Sequence, residues 1–217
     1  MAKILITSGP TRQYLDPVRY LTNASSGRMG VALAEAALAR GHEVVVVSGP
    51  VQVDYPSGAE IVVVDTTAEM LDAVLKYFPD CDGLIGAAAP CDYMPYRVNS
   101  EKITKTGEPL KLELIETADI VAMAAQHKHN GQWVVGFALE TEDQRFRAIS
   151  KMQRKCCDMM VLNGPSAINA MTNDVEILAI DGSTIAHVSG DKRAVAEAII
   201  RAAEPLQLRK TKATLNQ

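Results

Sequence analysis

Two kinds of residue in this sequence could handle phosphate or carboxylate chemistry. The first are loop glycines and serines: Gly9 in "TSGPTR", and Ser25, Ser26 and Gly27 in "RYLTNASSGRMG". Such loops expose backbone N–H groups and hydroxyls, and a helix opening near Ser26 would turn its positive end toward an anion. A plain helix cap followed by a glycine turn would use the same letters. The second kind are cations. Lys151 and Lys155 are four apart and share one face of a helix, as phosphate contacts or as the solvated side of an amphipathic helix. Lys102 and Lys105 sit in "EKITKTG", inside a polar stretch rich in Pro and Gly, and Arg12, Arg19 and Arg28 add positive charge around the first loop.

Such residues need a frame to bring them together. ILIT (4–7) reads as a short buried strand, and residues 26–40 as a helix with Met29, Leu33, Ala36 and Ala37 along one stripe. Gly41 is a natural stop. EVVVVS (43–48) is apolar on both faces, as a central parallel strand should be. IVVVD (61–65) repeats that pattern, Thr67 can cap a helix over 68–78, and GLIGAAA (83–89) is a fourth strand. Residues 90–109 break the alternation, and a loop of that length suits a lid or a binding loop. Beyond it, LKLEL (110–114) alternates as a strand, followed by a helix over 119–128, the strand WVVGFA, a helix over 142–155 and the strand DMMVLN. VEILAIDGSTIAHVS predicts a hairpin turning at Asp181-Gly182, and residues 191–203 a closing helix.

This order predicts an α/β fold: a Rossmann-like, mainly parallel sheet with helices on both faces and a C-terminal antiparallel hairpin. One domain is expected over 1–217, with a loose tail over 205–217. Ligands of such a fold collect at the carboxyl ends of the strands, so the candidate loops are 8–12, 22–30, 88–105 and 117–121.

Composition narrows the partners. The 217 residues carry a formal net charge of −4, which argues against a general nucleic-acid binder. No apolar run is long enough to span a bilayer, and the first residues lack the apolar core of a signal peptide. The four cysteines (Cys81, Cys91, Cys156, Cys157) form no C-x-x-C pair, which points to reduced thiols and a cytoplasmic location. A nicotinamide site is the obvious rival for a strand, a glycine loop and a helix. Yet G-x-G-x-x-G is absent, the second strand ends in Ser48, Gly49 and Pro50 instead of an acidic residue, and none of the six tyrosines has a lysine four residues on. A Walker loop is absent too. An NAD(P)-dependent oxidoreductase and a non-catalytic nucleotide-binding protein therefore stand as alternatives.

The stretch "ILITSGPTRQYLDPVRYLTNASSGRMG" resembles the opening of the phosphopantothenoylcysteine synthetase family. Further pieces follow in the family's order: AAAPCDYMP, KITK, ADIV, GFALET and KMQRKCCDMMVLN, so that the likeness spans about residues 3–182. The resemblance implies a stand-alone ligase of coenzyme A biosynthesis that joins 4′-phosphopantothenate to L-cysteine. In that reaction the acid's carboxylate attacks the α-phosphate of CTP (or ATP), giving an acyl-nucleotidylate and pyrophosphate, and the amine of cysteine then displaces the nucleoside monophosphate. Mg²⁺ is expected with the triphosphate, although no dedicated all-protein metal cage is visible.

By the same resemblance Asn23 holds the acyl-nucleotidylate and donates near its acyl group, and Lys102 is a lid cation ten residues after Asp92, with Lys105 in support. Asp92 accepts from an exocyclic amine, and the backbone of Ala88 and Ala89 leaves room for a flat base. Ala118, Asp119, Ile120 and Val121 contact the nucleotide at a helix start; Phe137 matches the GFA phenylalanine; Lys151 and Lys155 reach the triphosphate. Arg12, Arg19 and Arg28 are unranked candidates for the 4′-phosphate. A homodimer and a separate decarboxylase partner are expected; nucleic acid and membrane are not.

Overall fold

The computed structural model describes residues 1–129, 131–140, 142–164 and 172–214. The first apolar run forms β1 (Lys3–Ser8), which pairs in parallel with β4 (Glu43–Ser48) on one side and β6 (Gly83–Gly86) on the other. Beyond β4 lies β5 (Glu60–Val63); beyond β6 lie β9 (Trp133–Leu139) and β10 (Met159–Asn163), all parallel. The predicted hairpin is β11 (Thr172–Ala179) with β12 (Thr184–Asp191), joined antiparallel to β10. The sheet order is β12-β11-β10-β9-β6-β1-β4-β5.

Because successive strand residues point to opposite faces, each central strand feeds two cores. Ile4, Ile6, Val44, Val46, Val135 and Val161 pack beneath α1 (Arg28–Ala39) and α5 (Lys192–Thr214). Leu5, Val45, Val47, Leu84, Val134 and Met160 pack beneath α2 (Thr67–Tyr77), α3 (Ile120–Gln126) and α4 (Gln144–Arg154). The two-faced runs ILIT and EVVVVS are thus the centre of a covered parallel sheet, whereas IVVVD, read with the same pattern, forms the edge strand β5 and leaves Ile61 and Val63 exposed. Thr66 closes a capping box on α2: its side chain accepts from Glu69 N, and the Glu69 carboxylate accepts from Thr66 N.

Other local expectations change: the cap of α2 is Thr66, and Thr67 is its first helical residue. Helix α1 starts at Arg28, with Gly27 as its N-cap at φ +75°, so Ser26 remains in the loop. The 12–22 stretch, read as loop, folds into a small hairpin of β2 (Arg12–Tyr14) and β3 (Tyr20–Thr22). The LKLEL strand is displaced to β8 (Leu114–Glu116), which pairs antiparallel with β7 (Tyr93–Pro95). Its alternation misleads because no core receives it: Leu110, Leu112 and Leu114 are all exposed. The tail expected to be loose is helical to Thr214, because α5 continues through Pro205; Leu206 still packs on the α1/α5 core, and Arg40, the C-cap of α1, grips Glu204 one residue before the proline. Residues 215–217 of that expectation lie outside the described residues. No described helix is long and apolar enough to cross a membrane.

Candidate active site

Strand β1 leads to β4 on one side, whereas β6 leads to β9 on the other, so their carboxyl ends diverge and open a crevice. Two loops are stitched together at its floor. Ala89 N donates to Gly9 O (2.8 Å), Ala88 N donates to Thr7 Oγ1 (3.3 Å), and Pro10 forms a parallel bridge with Ala89. Gly9 is buried with its carbonyl engaged, so it shapes the crevice from below.

Asn23 stands over this seam. Its Nδ2 donates to Ala89 O (3.2 Å) and Pro90 O (2.8 Å). Both partners are carbonyls and can only accept, which fixes the amide's orientation. The N–H pair is committed inward, and Oδ1 is left without a protein partner among the described residues. Sequence reasoning expected a donor at this point; the ligand-free geometry offers an acceptor.

On the α1 side, Ser25, Ser26, Gly27 and Arg28 line a cavity of about 200 Å³ together with Ala89 and Phe137. A second, open groove of about 600 Å³ runs past Asn23, Arg12 and Arg28. Two glycines make the approach possible. Gly27 needs the left-handed backbone that most residues avoid, and a Cβ on Gly30 would lie 2.0 Å from Ser8 Oγ, so α1 can sit directly on the end of β1. Ser8 Oγ donates to Gly27 O (3.2 Å) and locks that junction.

The α3/α4 side carries the lysine pair. Asp119 caps α3 by accepting from Ala122 N (3.1 Å), and it also receives Lys155 Nζ at 2.9 Å. Lys151 lies 3.7 Å from Glu140. Burial pushes the Lys151 pKa down and Lys155 adds to this, while Glu140, Asp119 and the exposed Asp92 pull it back up. The predicted residues Asp92, Asp119, Lys151 and Lys155 therefore do share one electrostatic field. Ile120 is buried and Val121 packs over Gly86, so these two form the wall under the α3 start, beside Ala118.

Lys102 and Lys105 are exposed and make no hydrogen bond or ion pair among the described residues. Their loop is nevertheless tethered. Ile103 N donates to Asp16 Oδ2 (3.0 Å), and Arg19 Nη2 donates to Ile103 O (2.5 Å). Asp16 is fully buried and also accepts from Val18 N, Arg19 N and the Arg19 side chain. Burial alone would raise its pKa, but the Ile103, Val18 and Arg19 donors together hold it far below the usual carboxylate range. Arg19 is thereby committed to Asp16, and Arg12 pairs with Asp65 at 3.2 Å. Of the three arginines considered for a phosphate, Arg28 alone has no carboxylate partner among the described residues.

Sequence reasoning missed Asp16, Asn163, Asn173 and Lys192, of which the last three line the smaller cavity. Asp16 was visible only as part of "DPVR", and Lys192 only as the second residue of the helix expected over 191–203. Among the described residues no group of three or more His, Cys, Asp or Glu could hold a metal ion.

The profile of the family described as "DNA/pantothenate metabolism flavoprotein C-terminal domain" matches residues 1–206. A curated relative from an unidentified prokaryote, named cysteine/cysteine sulfinic acid decarboxylase, is 45% identical over 163 residues, covering 74% of this chain and 45% of its own length. The coenzyme A biosynthesis bifunctional protein CoaBC of Vibrio cholerae is 45% identical over 166 residues, covering 76% of this chain and 42% of its own. The chain thus spans less than half the length of these two relatives. Among solved structures, the C-terminal domain of a CoaBC protein superposes with a TM-score of 0.81 at 35% identity over 94% of both chains. A mutant of Cab2 in complex with phosphopantothenate-cysteine shares the fold, with a TM-score of 0.82 at 17% identity over 98% of this chain and 88% of that one.

Proposed function

The chain belongs to the DNA/pantothenate metabolism flavoprotein C-terminal domain family, and from that premise we propose that it is a phosphopantothenate–cysteine ligase. Its substrates in this reading are 4′-phosphopantothenate, L-cysteine and a nucleoside triphosphate, with CTP favoured over ATP. The observation that carries the reading is the seam at the β1/β6 crevice, where Asn23 is held by two hydrogen bonds over the Ala88–Pro90 backbone.

The chemistry joins two anions and then an amine. A substrate carboxylate oxygen attacks the α-phosphorus, the bond to the β-phosphate oxygen breaks, and pyrophosphate leaves. The cysteine amine next attacks the acyl carbon, the nucleoside monophosphate leaves, and the amine gives up a proton. The first attack is opposed by charge, so the residues that favour it must be cations and fixed dipoles. Lys102 on its tethered loop, Lys151 near Glu140, and the first turn of α1 are the candidates. Asn23 Oδ1, the free end of an oriented amide, suits an N–H of the incoming amine. Asp92 suits the exocyclic amine of cytosine. Magnesium would arrive as part of the triphosphate substrate, since that ion keeps most of its own water and phosphate ligands.

Two of the protein's own thiols are poor acceptors of the acyl group. Burial pushes Cys81 up to about 11 and Cys157 up to about 12, which keeps both protonated. Exposed apolar residues on the 93–115 arm (Tyr93, Tyr96, Val98, Leu112) fit a second copy of the chain, and the four free cysteines accord with a cytoplasmic location. A separate decarboxylase could supply the neighbouring step.

The test is pyrophosphate release with 4′-phosphopantothenate and Mg²⁺, run with CTP, ATP, GTP or UTP and with or without cysteine. The expected outcome is product that requires every component and forms fastest with CTP. Absence of product with all four nucleotides overturns the reading; ATP as the best nucleotide overturns only the cytosine assignment.

A further inference from the structure

We infer that Thr11 and Thr67 are positioning residues: they close a ring of buried hydroxyls that fixes the main chain of Cys91 and thereby aims Asp92, the residue that follows it. The ring stands on geometry alone; its part in choosing the nucleotide base rests on the ligase reading. Cys91 N donates to Thr11 Oγ1 (2.9 Å), Thr11 Oγ1 lies 2.8 Å from Thr67 Oγ1, and Thr67 Oγ1 donates to Cys91 O (3.4 Å). Gln13 Nε2 also donates to Thr67 Oγ1 (2.8 Å). A hydroxyl has one proton to give. That of Thr67 goes to Cys91 O, so Thr11 is the donor between the two threonines and every bond runs in one direction round the ring.

Thr67 is available for this because Thr66 caps α2; Thr67 is the first helical residue and its hydroxyl turns inward. Thr11, Gln13, Thr67 and Cys91 are all buried. Removing one hydroxyl therefore leaves its neighbours desolvated and unpaired, a cost that a purely apolar contact would not carry.

The ring completes the hold on the segment that runs from the seam to Asp92. Its main-chain donors are taken by alternate residues of β1 and its extension: Ala88 N by Thr7 Oγ1, Ala89 N by Gly9 O and Cys91 N by Thr11 Oγ1, while Pro90 has no N–H to give. The carbonyls of Ala89 and Pro90 accept from Asn23, and Cys91 O accepts also from Thr117 Oγ1 (2.6 Å). Asp92 O accepts from Thr117 N (2.9 Å). The Asp92 side chain, by contrast, is exposed and makes no hydrogen bond or ion pair among the described residues, so the fixed main chain is what aims it. An ionised carboxylate only accepts. It therefore favours a base that presents an exocyclic amine, as cytosine and adenine do, over uracil, which presents a carbonyl oxygen where cytosine has its amine. A misaimed Asp92 loses that contrast.

The test compares Thr67→Val, which keeps the shape and removes the hydroxyl, with Thr67→Ser, which keeps the hydroxyl, both in the intact chain. Product formation is measured with CTP, ATP and UTP, and hydrogen exchange is read at the Cys91 amide, which Thr67 does not itself contact. In Thr67→Val the kcat/KM ratio of the better amine-bearing nucleotide to UTP should fall by about tenfold. The Cys91 amide should exchange about fivefold faster, and Thr67→Ser should restore both values. A merely structural Thr67 would reduce the active fraction for every nucleotide alike and leave the ratio where it was. A ratio within about twofold of the parent's, in a Thr67→Val chain folded by its circular dichroism, therefore overturns the inference; if that variant does not fold, Thr11→Val opens the same ring and the same ratio decides. A parent that uses UTP as readily as CTP and ATP also overturns it. If the parent makes no product with any nucleotide, the ligase reading falls, and the exchange rate decides the ring: an unchanged rate at Cys91 in Thr67→Val refutes it.

Discussion

The sheet carries a basic cluster on each side of its carboxyl edge, and the two are wired differently. On the α3/α4 side, Lys155 is held by Asp119 and Lys151 lies near Glu140. On the α1/α5 side, Lys192 and Arg28 face a cavity with no acid to balance them among the described residues. The paired cluster is the one the sequence advertises, through two lysines one helical turn apart. The unpaired cluster combines residues 164 positions apart in the chain. A lysine that already holds a carboxylate must exchange that partner before it can hold a phosphate, whereas an unbalanced pair of cations gains from the first anion that enters. The comparison leaves the α1/α5 side with cations that have no carboxylate partner among the described residues and the α3/α4 side with cations already held by acids.

The largest expected effect lies at the seam where the two sides meet. Asn23→Asp removes both donors to Ala89 and Pro90 and sets a carboxylate against two carbonyl oxygens. Product formation should drop by roughly 10²–10³-fold, read by pyrophosphate release coupled to product analysis. A rate equal to the parent's would mean that the seam is only a structural join between the two clusters.

Next comes the tether that holds the Lys102 loop to Asp16 and Arg19. Asp16→Asn replaces an acceptor of Ile103, Val18 and Arg19 by a group that is half donor. Misplacing the loop should cost on the order of 10²-fold in kcat/KM. In a Lys102→Gln background the same change should cost much less, because the loop's cation is already gone. Full additivity of the two losses in a rate assay would show that Asp16 does not act through Lys102.

A smaller effect measures the pairing itself. In a double-mutant cycle of Asp119→Asn and Lys155→Met, denaturant unfolding should give a small favourable coupling of about 0.2–1 kcal/mol, since Asp119 is partly solvated. Zero coupling would erase the distinction drawn between the two clusters.

The smallest effect is a control remote from both. Arg40 holds the Glu204 carboxylate and lowers its pKa below the ordinary 4.5. A depressed carboxylate stabilises the fold above its unfolded value and loses that contribution as pH falls through its folded value. The parent should therefore exceed Glu204→Gln by up to about 1 kcal/mol at neutral pH. The gap should close as pH drops below 4.5 in thermal melts, and a gap that persists at acid pH would rule out the ion pair as its source.

How much was legible follows from the range of each interaction. Two-faced runs such as EVVVVS and the stripe Met29–Leu33–Ala36 report burial directly, so the parallel sheet, its helices and the Asp181-Gly182 hairpin could be read in advance. LKLEL failed because alternation states only which residues could share a face, not whether a second layer covers it. The β2–β3 hairpin failed because its strands are three residues long, too short for a period to show. Lys155 was legible as a helix-face cation, but its bond to Asp119, 36 residues away, was not. Lys192 left no signal beyond its place at a helix start.

By itself, then, the amino-acid order determined the alternation of strands and helices, the glycine loops at the sheet's edge and the family motifs, because each depends on neighbours within a few residues. The tertiary structure alone decided which charges are neutralised and which are left facing a cavity. Electrostatic compensation depends on distances of a few ångströms between groups far apart in the chain, and only the packed fold sets those distances.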